Sequence, residues 1–166
     1  MFALAAVGTM FFWLESFLYP ILVFSSLSFV FQSFPLQLGF PYDFWVQIFG
    51  IILTVLGYLL FSWSVIARKK YAVSWGMTEQ HRLVTWGPYR YVRHPSYLAY
   101  FLMIFGLLFM SLNLLAAPCL VAVPGYFQVA DEEEKMLTAR FGEQYQRYQR
   151  KTGRFWPRRS RVSENR

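Results

Sequence analysis

Residues 96–130 read SYLAYFLMIFGLLFMSLNLLAAPCLVAVPGYFQVA, 35 positions without one charged side chain. A single helix of that length would reach about 52 Å at 1.5 Å per residue. The hydrocarbon core of a bilayer is only about 30 Å thick. The run must therefore turn back on itself. Its weakest helical point is Ser111-Leu112-Asn113, which predicts a tight helical hairpin with arms over about 96–111 and 113–131. Pro118 and Pro124 are expected to kink the second arm, because proline removes a helical donor and crowds the preceding turn.

The rest of the chain agrees that the bilayer is the solvent. Of 166 residues, 56% are hydrophobic, 21% aromatic and 15% charged. An ordinary soluble domain has roughly 45–50% and about 25% for the first and last of these. A chain this short cannot hide so much apolar surface from water. Two more spans lie upstream. Phe44–Ala67 carries no charge, and Ala3–Phe31 is interrupted by Glu15 and Pro20 but is long enough for one tilted crossing. Pro35, Gly39 and Pro41 mark the turn between them.

Charge sets the orientation. All 16 Lys and Arg residues lie at position 68 or later, in two blocks, Arg68–Arg93 and Lys135–Arg166. With four spans both blocks fall on one side, and the other side holds only Asp43. This positive-inside pattern places both termini, the loop over 68–95 and the C-terminal residues in the cytoplasm. The net charge of +7 thus reports sidedness, and no nucleic-acid partner is expected. The first ten residues hold no Lys or Arg, so no cleavable signal peptide is expected. Cys119 is the single cysteine, and His81 and His94 are the only histidines, so no disulfide and no metal site is expected.

Two polar clusters stand out on the basic side. In the first, Gly87-Pro88 marks a turn and Pro95 fits the first position of the next helix, with His94 near its N-cap. The free N–H groups of Ser96 and Tyr97, with Arg93, would make an anion site, or the segment is a basic anchor with interfacial tyrosines. The second cluster is Asp131-Glu132-Glu133-Glu134. It is either a solvated helix face, with Asp131 near Lys135, or it includes an acid that binds a ligand ammonium or a neighbouring Arg. The hairpin returns the chain to the side it left, so the two clusters should lie at similar depth. Anion-binding N–H groups facing carboxylates suit a zwitterion. Beyond them, Asp131–Lys151 is predicted as a helix with Leu137, Phe141, Tyr145 and Tyr148 on one face and a Glu143–Arg147 pair. Gly153 and Pro157 are its stop signals.

Arg93-His94-Pro95-Ser96-Tyr97, followed by Glu133-Glu134, Leu137, Phe141-Gly142, Tyr145 and Tyr148, resembles the isoprenylcysteine carboxyl methyltransferase family, which is related to the phospholipid N-methyltransferases. His81, Leu83-Val84-Thr85, Gly87 and Tyr89 upstream, and Lys151-Thr152-Gly153-Arg154 with Pro157 downstream, extend the resemblance over about 68–158. It implies an all-α polytopic membrane protein of about four transmembrane helices, with a tight hairpin and a cytoplasmic C-terminal helix. Residues 1–67 would be N-terminal transmembrane helices. Residues 68–158 would be the catalytic part, and 159–166 a basic tail near the lipid headgroups. It implies S-adenosyl-L-methionine as methyl donor, held by His81, Arg82, Leu83, Val84, Tyr89, His94, Pro95, Ser96, Tyr97 and Glu133. The acceptor would be a lipophilic or prenylated molecule entering from the bilayer, with membrane lipids as the other partners.

Methyl transfer from a sulfonium releases a neutral thioether, so no general acid is needed, and orientation can supply about 7–11 kcal/mol of the barrier. A carboxylate acceptor is already nucleophilic, whereas an amine must first lose a proton. The prenylcysteine enzymes carry an Arg four residues before the cofactor-binding Glu, thought to hold the acceptor carboxylate. Here that position is Val129, so Arg154 or Arg90 is the candidate substitute. Phospholipid N-methylation, an NADPH-dependent membrane reductase of the sterol-reductase type, and a non-catalytic membrane scaffold are the alternative readings.

Overall fold

The computed structural model describes residues 3–26, 29, 37–69 and 82–158. It is helical throughout. Among the described residues the only β-type pairings are the isolated bridges Gln37–Asn113 and Val92–Gly153. The helices are α1 (Ala3–Phe24), α2 (Asp43–Arg68), α3 (Pro95–Ser111), α4 (Ala122–Phe141) and α5 (Glu143–Lys151), with 3-10 helices at Gly87–Arg90 and Leu114–Val121. Ala3–Phe24, Asp43–Arg68 and the continuous stretch Leu114–Phe141 are long and apolar enough to cross a membrane, and Pro95–Ser111 is a shorter apolar helix. At 17 residues it spans about 26 Å, the lower limit for a crossing.

The hairpin turns at the expected place. α3 ends at Ser111, Leu112 takes a φ of +46°, and the Asn113 side chain accepts from the Leu115 N–H at 2.9 Å to start the returning arm. Asn113 is buried, and its amide donates to Gln37 at 3.1 Å, so the turn's polar groups are satisfied without water. The arm itself differs from expectation. Pro118 does not kink an α-helix, because the arm begins as a 3-10 helix over Leu114–Val121 and becomes α-helical only at Ala122. α1 runs through both Glu15 and Pro20 and ends at Phe24.

Chain contacts divide the molecule into two units, residues 1–58 with 99–129, and 59–98 with 130–166. The first is the intramembrane packing unit. Ala5 and Gly8 of α1 meet Gly125 and Ala122, close enough that a Cβ added at either Gly8 or Gly125 would overlap the facing backbone. Thr9 donates to the Ala5 carbonyl at 2.6 Å and pairs with the Tyr126 hydroxyl at 2.6 Å, while Tyr100 stacks on Tyr126. α2 meets α3 through Gly50, Thr54 and Gly57 against Gly106 and Met103. Small residues at helix contacts are what lipid-embedded packing requires, because the tails are as apolar as the side chains and only close approach gains dispersion energy. The outer faces stay apolar, with Phe17, Ile21, Ile52 and Leu56 all exposed.

The second unit holds the polar machinery. α4 was expected to continue to Lys151 as one helix. It stops at Phe141 instead, because Gly142 adopts φ +49°, ψ −124°, and α5 starts anew at Glu143. α5 ends at Lys151, two residues before Gly153.

Candidate functional site

The site is built on the entrance to α3. Gly87, at φ +60°, opens the 3-10 turn that carries Pro88. Pro95 begins α3, where its missing N–H leaves no bond unmade. The Leu98 N–H bonds the His94 carbonyl at 3.1 Å, so His94 is the N-cap residue. The residues after α5 lie beside this entrance. The Arg93 N–H donates to the Gly153 carbonyl at 2.9 Å and the His94 N–H to the Arg154 carbonyl at 3.1 Å. Tyr148 ties the other end of the loop, donating to the Tyr89 carbonyl at 2.6 Å. Ser96 and Ser64 share a buried hydrogen bond of 2.7 Å.

His94 and Tyr97 are three residues apart and so present one face. Their rings stack, with centroids 5.5 Å apart. That face meets the acidic step of α4. Tyr97 donates to Glu133 at 2.6 Å. The His94 ring lies between two carboxylates, with Nε2 3.0 Å from Glu134 and Nδ1 3.5 Å from Glu133. Burial alone would lower the pKa of His94, but hydrogen bonds and charge from Glu133 and Glu134 outweigh it and raise the value above its usual 6.5. With a carboxylate beside each ring nitrogen, the arrangement favours the imidazolium, the one form in which both nitrogens can donate.

Glu134 is the hub. Besides His94 it accepts from Arg93 Nε at 2.9 Å and from Gln149 Nε2 at 3.1 Å. Arg93 also donates to the carbonyls of Thr152 and Gln149. Glu134 lies past the apolar part of its helix. Burial would raise its pKa, but hydrogen bonds from His94 and Arg93 and their charges bring it down to about 2. Arg154 pairs with Asp131 at 2.6 Å and reaches Glu134 at 3.7 Å. Three cations, Arg93, His94 and Arg154, thus face three carboxylates, Asp131, Glu133 and Glu134.

The sequence-predicted residues fall into groups. His94, Tyr97, Glu133 and Arg154 come together as described. Pro95 and Ser96 are buried at the helix entrance, and Val84 is buried with Leu83 half-buried before it. Tyr89 contributes its carbonyl. Arg82 and Arg90 are exposed, and Val129 is fully buried one turn before Glu133 on α4. His81 lies outside the described residues. Two expectations are corrected. Arg93 does not stand open as part of an anion site, because Glu134 and two carbonyls occupy its guanidinium. Asp131 is near enough to Lys135 to act on it electrostatically, but its ion pair is with Arg154, and Lys135 pairs with Glu132. A residue three positions on in a helix stacks over Glu132, whereas Asp131 points toward the segment after α5. Glu134 belongs to the acidic cluster read from the sequence, but its place at the centre of the network and its partners Gln149 and Thr152 are not legible there. Their signal was the doubled acid at 133–134 and the i, i+4 relation of Tyr145 and Gln149 on α5.

The sequence model of the phospholipid methyltransferase family matches residues 45–144 of the chain. The chain belongs to that family. The matched residues include most of α2, the turn at Gly87-Pro88, α3, the hairpin and α4 with its acidic step. Among its relatives are protein-S-isoprenylcysteine O-methyltransferase A of Arabidopsis thaliana, 31% identical over 115 residues, and the protein-S-isoprenylcysteine O-methyltransferase of Tribolium castaneum, 30% identical over 114. Each alignment covers 66% of this chain, with 58% of the first relative and 41% of the second. The chain therefore spans about half the length of the relatives it matches. A solved structure of the eukaryotic intramembrane Ras methyltransferase, isoprenylcysteine carboxyl methyltransferase, shares the fold with a TM-score of 0.56 at 24% identity, over 94% of this chain and 52% of that one.

Proposed function

We propose that this member of the phospholipid methyltransferase family is an integral-membrane methyltransferase that uses S-adenosylmethionine on a lipophilic acceptor, an isoprenylcysteine carboxylate. The observation that carries the reading is the junction of His94 and Tyr97 with Glu133 and Glu134, at one end of the hairpin. Its cations and carboxylates balance, and a balanced, hydrogen-bonding cluster suits the ammonium and carboxylate of an amino-acid end group better than a single-sign ligand. The relatives' names point the same way. Bound there, S-adenosylmethionine supplies an electrophilic methyl group on a sulfonium. The protein's own residues have to orient and to exclude water, since neither the leaving thioether nor a carboxylate acceptor needs a proton moved. Glu133, half-buried and held by Tyr97 and His94, is the residue we assign to the ligand ammonium. Leu83 and Val84, with His81 and Arg82, are assigned to the same cofactor, and Arg154 or Arg90 to the acceptor carboxylate. We place this site and both termini on the cytoplasmic side.

One observation favours an amine acceptor instead. Val129 is apolar and buried where the prenylcysteine enzymes carry an Arg, and an acceptor carboxylate buried without a cation is costly. Calorimetry on the detergent-solubilised chain tests the cofactor: binding of S-adenosylhomocysteine is expected, and Glu133→Ala should abolish it. Absence of binding to folded wild-type protein refutes the reading. Transfer of a labelled methyl group then identifies the acceptor chemistry, a base-labile product meaning an ester and a base-stable one an amine.

A further inference from the structure

Tyr145 is the most deeply buried polar side chain around the acidic step, with no exposed surface, and its hydroxyl meets no hydrogen-bond partner among the described residues. A buried hydroxyl left without a partner costs stability, and folded proteins leave few of them. Its position is fixed by neighbours that are themselves engaged. Gln149, one turn along the same face of α5, donates to Glu134 at 3.1 Å. Tyr148, whose ring lies 6.0 Å from that of Tyr145, is anchored on the Tyr89 carbonyl. Glu134, Arg93 and Glu133 all act electrostatically on the Tyr145 hydroxyl. Burial, and then the Glu134 carboxylate, push its pKa up, so it keeps its proton and remains a donor.

The nearby acceptors already have donors. Glu133 receives Tyr97 and His94, and Glu134 receives Arg93, His94 and Gln149. From this geometry we infer that the Tyr145 hydroxyl is a binding donor for the carboxylate of the ligand's amino-acid end, opposite the carboxylates that hold the ammonium. The inference deepens the proposed function and rests on it. It assigns to α5, which otherwise only braces the loop, a direct part in recognising the dipolar end group. It also gives the break at Gly142 a purpose, since the new helix axis is what carries Tyr145 to its place.

The test compares wild type with Tyr145→Phe, which keeps the ring and removes only the hydroxyl, in the full chain in detergent. Affinities are measured by calorimetry for S-adenosylmethionine and for decarboxylated S-adenosylmethionine, which keeps the ammonium. Tyr145→Phe should weaken binding of the first by about ten- to a hundred-fold, the range for a hydrogen bond to a charged group. It should leave binding of the second unchanged. Melting without ligand should stay the same or rise, since an unpartnered buried hydroxyl is gone. Equal loss for both ligands, no loss for either, or a lower ligand-free melting temperature overturns the inference and makes Tyr145 a packing residue. Wild-type protein binding both ligands equally overturns it without any variant. Wild type that binds neither removes the proposed function as well, so the two failures are distinguishable.

Discussion

Glu134 shows how much one carboxylate can organise. It accepts from Arg93, His94 and Gln149, which come from the loop before α3 and from α5. Removing it takes the shared acceptor from buried His94 and part-buried Arg93, which keep only Glu133 and two backbone carbonyls, and breaking a buried pair costs at most about 3–5 kcal/mol. Glu134→Ala is therefore expected to lower the unfolding free energy by that order in detergent, with Glu134→Gln less severe because an acceptor remains. Glu133→Ala should instead leave stability closer to wild type and act on cofactor affinity. The same network fixes a pH window. Glu134 has its folded pKa lowered from 4.5 to about 2, so its contribution is complete above 4.5 and is lost as pH falls toward 2. His94 is raised from 6.5, so its contribution is complete below 6.5 and is lost as pH rises through its elevated folded value. Melting temperature should then peak between these limits, and His94→Gln should flatten the alkaline limb and also soften the acid limb, because His94 is one of the groups that hold the Glu134 pKa down. An alkaline limb of unchanged slope in that variant would mean the imidazolium does not bridge the acids. The sequence made His94, Tyr97 and Glu133 visible because a proline at a helix start and a run of acids are local signals. Glu134's partners were not visible, since Gln149 and Thr152 reach it only once the chain after Gly142 folds back.

At the scale of elements, legibility follows the same division. The hairpin could be read because length against bilayer thickness is a global constraint that needs no partner. The helix break could not, because Phe141-Gly142-Glu143 interrupts an otherwise continuous polar-apolar period and a lone glycine in such a pattern is usually tolerated. Gly142 holds φ +49° and ψ −124°, and a Cβ there would meet nothing within 4 Å. The cost of Gly142→Ala is thus purely conformational, about 1–3 kcal/mol for a side chain in a region open mainly to glycine. A straightened α4–α5 is the alternative way to relieve that strain. It would withdraw Tyr145 and Gln149 from Glu134, so Gly142→Ala should also weaken cofactor binding, measured by calorimetry. Gly106 makes the complementary case within the membrane. A Cβ there would overlap Thr54 Oγ1 and come within 2.8 Å of the Gly50 carbonyl. Gly106→Leu should force α2 and α3 apart and lower the melting temperature far more than Gly39→Leu, whose Cβ meets nothing within 4 Å.

Over the whole molecule, sidedness follows from counting crossings. Tyr42, 79% exposed, precedes α2, and Lys135, with a side chain 71% exposed, follows the returning arm of the hairpin. Three apolar helical stretches separate them: Asp43–Arg68, Pro95–Ser111 and the uncharged part of Leu114–Phe141 that precedes Asp131. An odd number of crossings puts the two positions in different compartments. Lysine and arginine accumulate on the cytoplasmic side because they are retained there during insertion, so the proposed cytoplasmic placement of Lys135 gives the prediction its direction. The single native thiol, Cys119, has no exposed surface, which leaves a silent background for labelling. Tyr42→Cys should react with a membrane-impermeant maleimide applied to intact cells, and Lys135→Cys only after permeabilisation. The 17-residue Pro95–Ser111 helix carries the weight of this prediction. Were it to lie along the surface instead of crossing, the count would become even and both thiols would label from one side. The acidic step and the His94 corner would then be reached from different faces of the bilayer, which the 2.6 Å bond between Tyr97 and Glu133 forbids. The bond and the labelling pattern are thus two readings of one constraint, that the hairpin crosses twice.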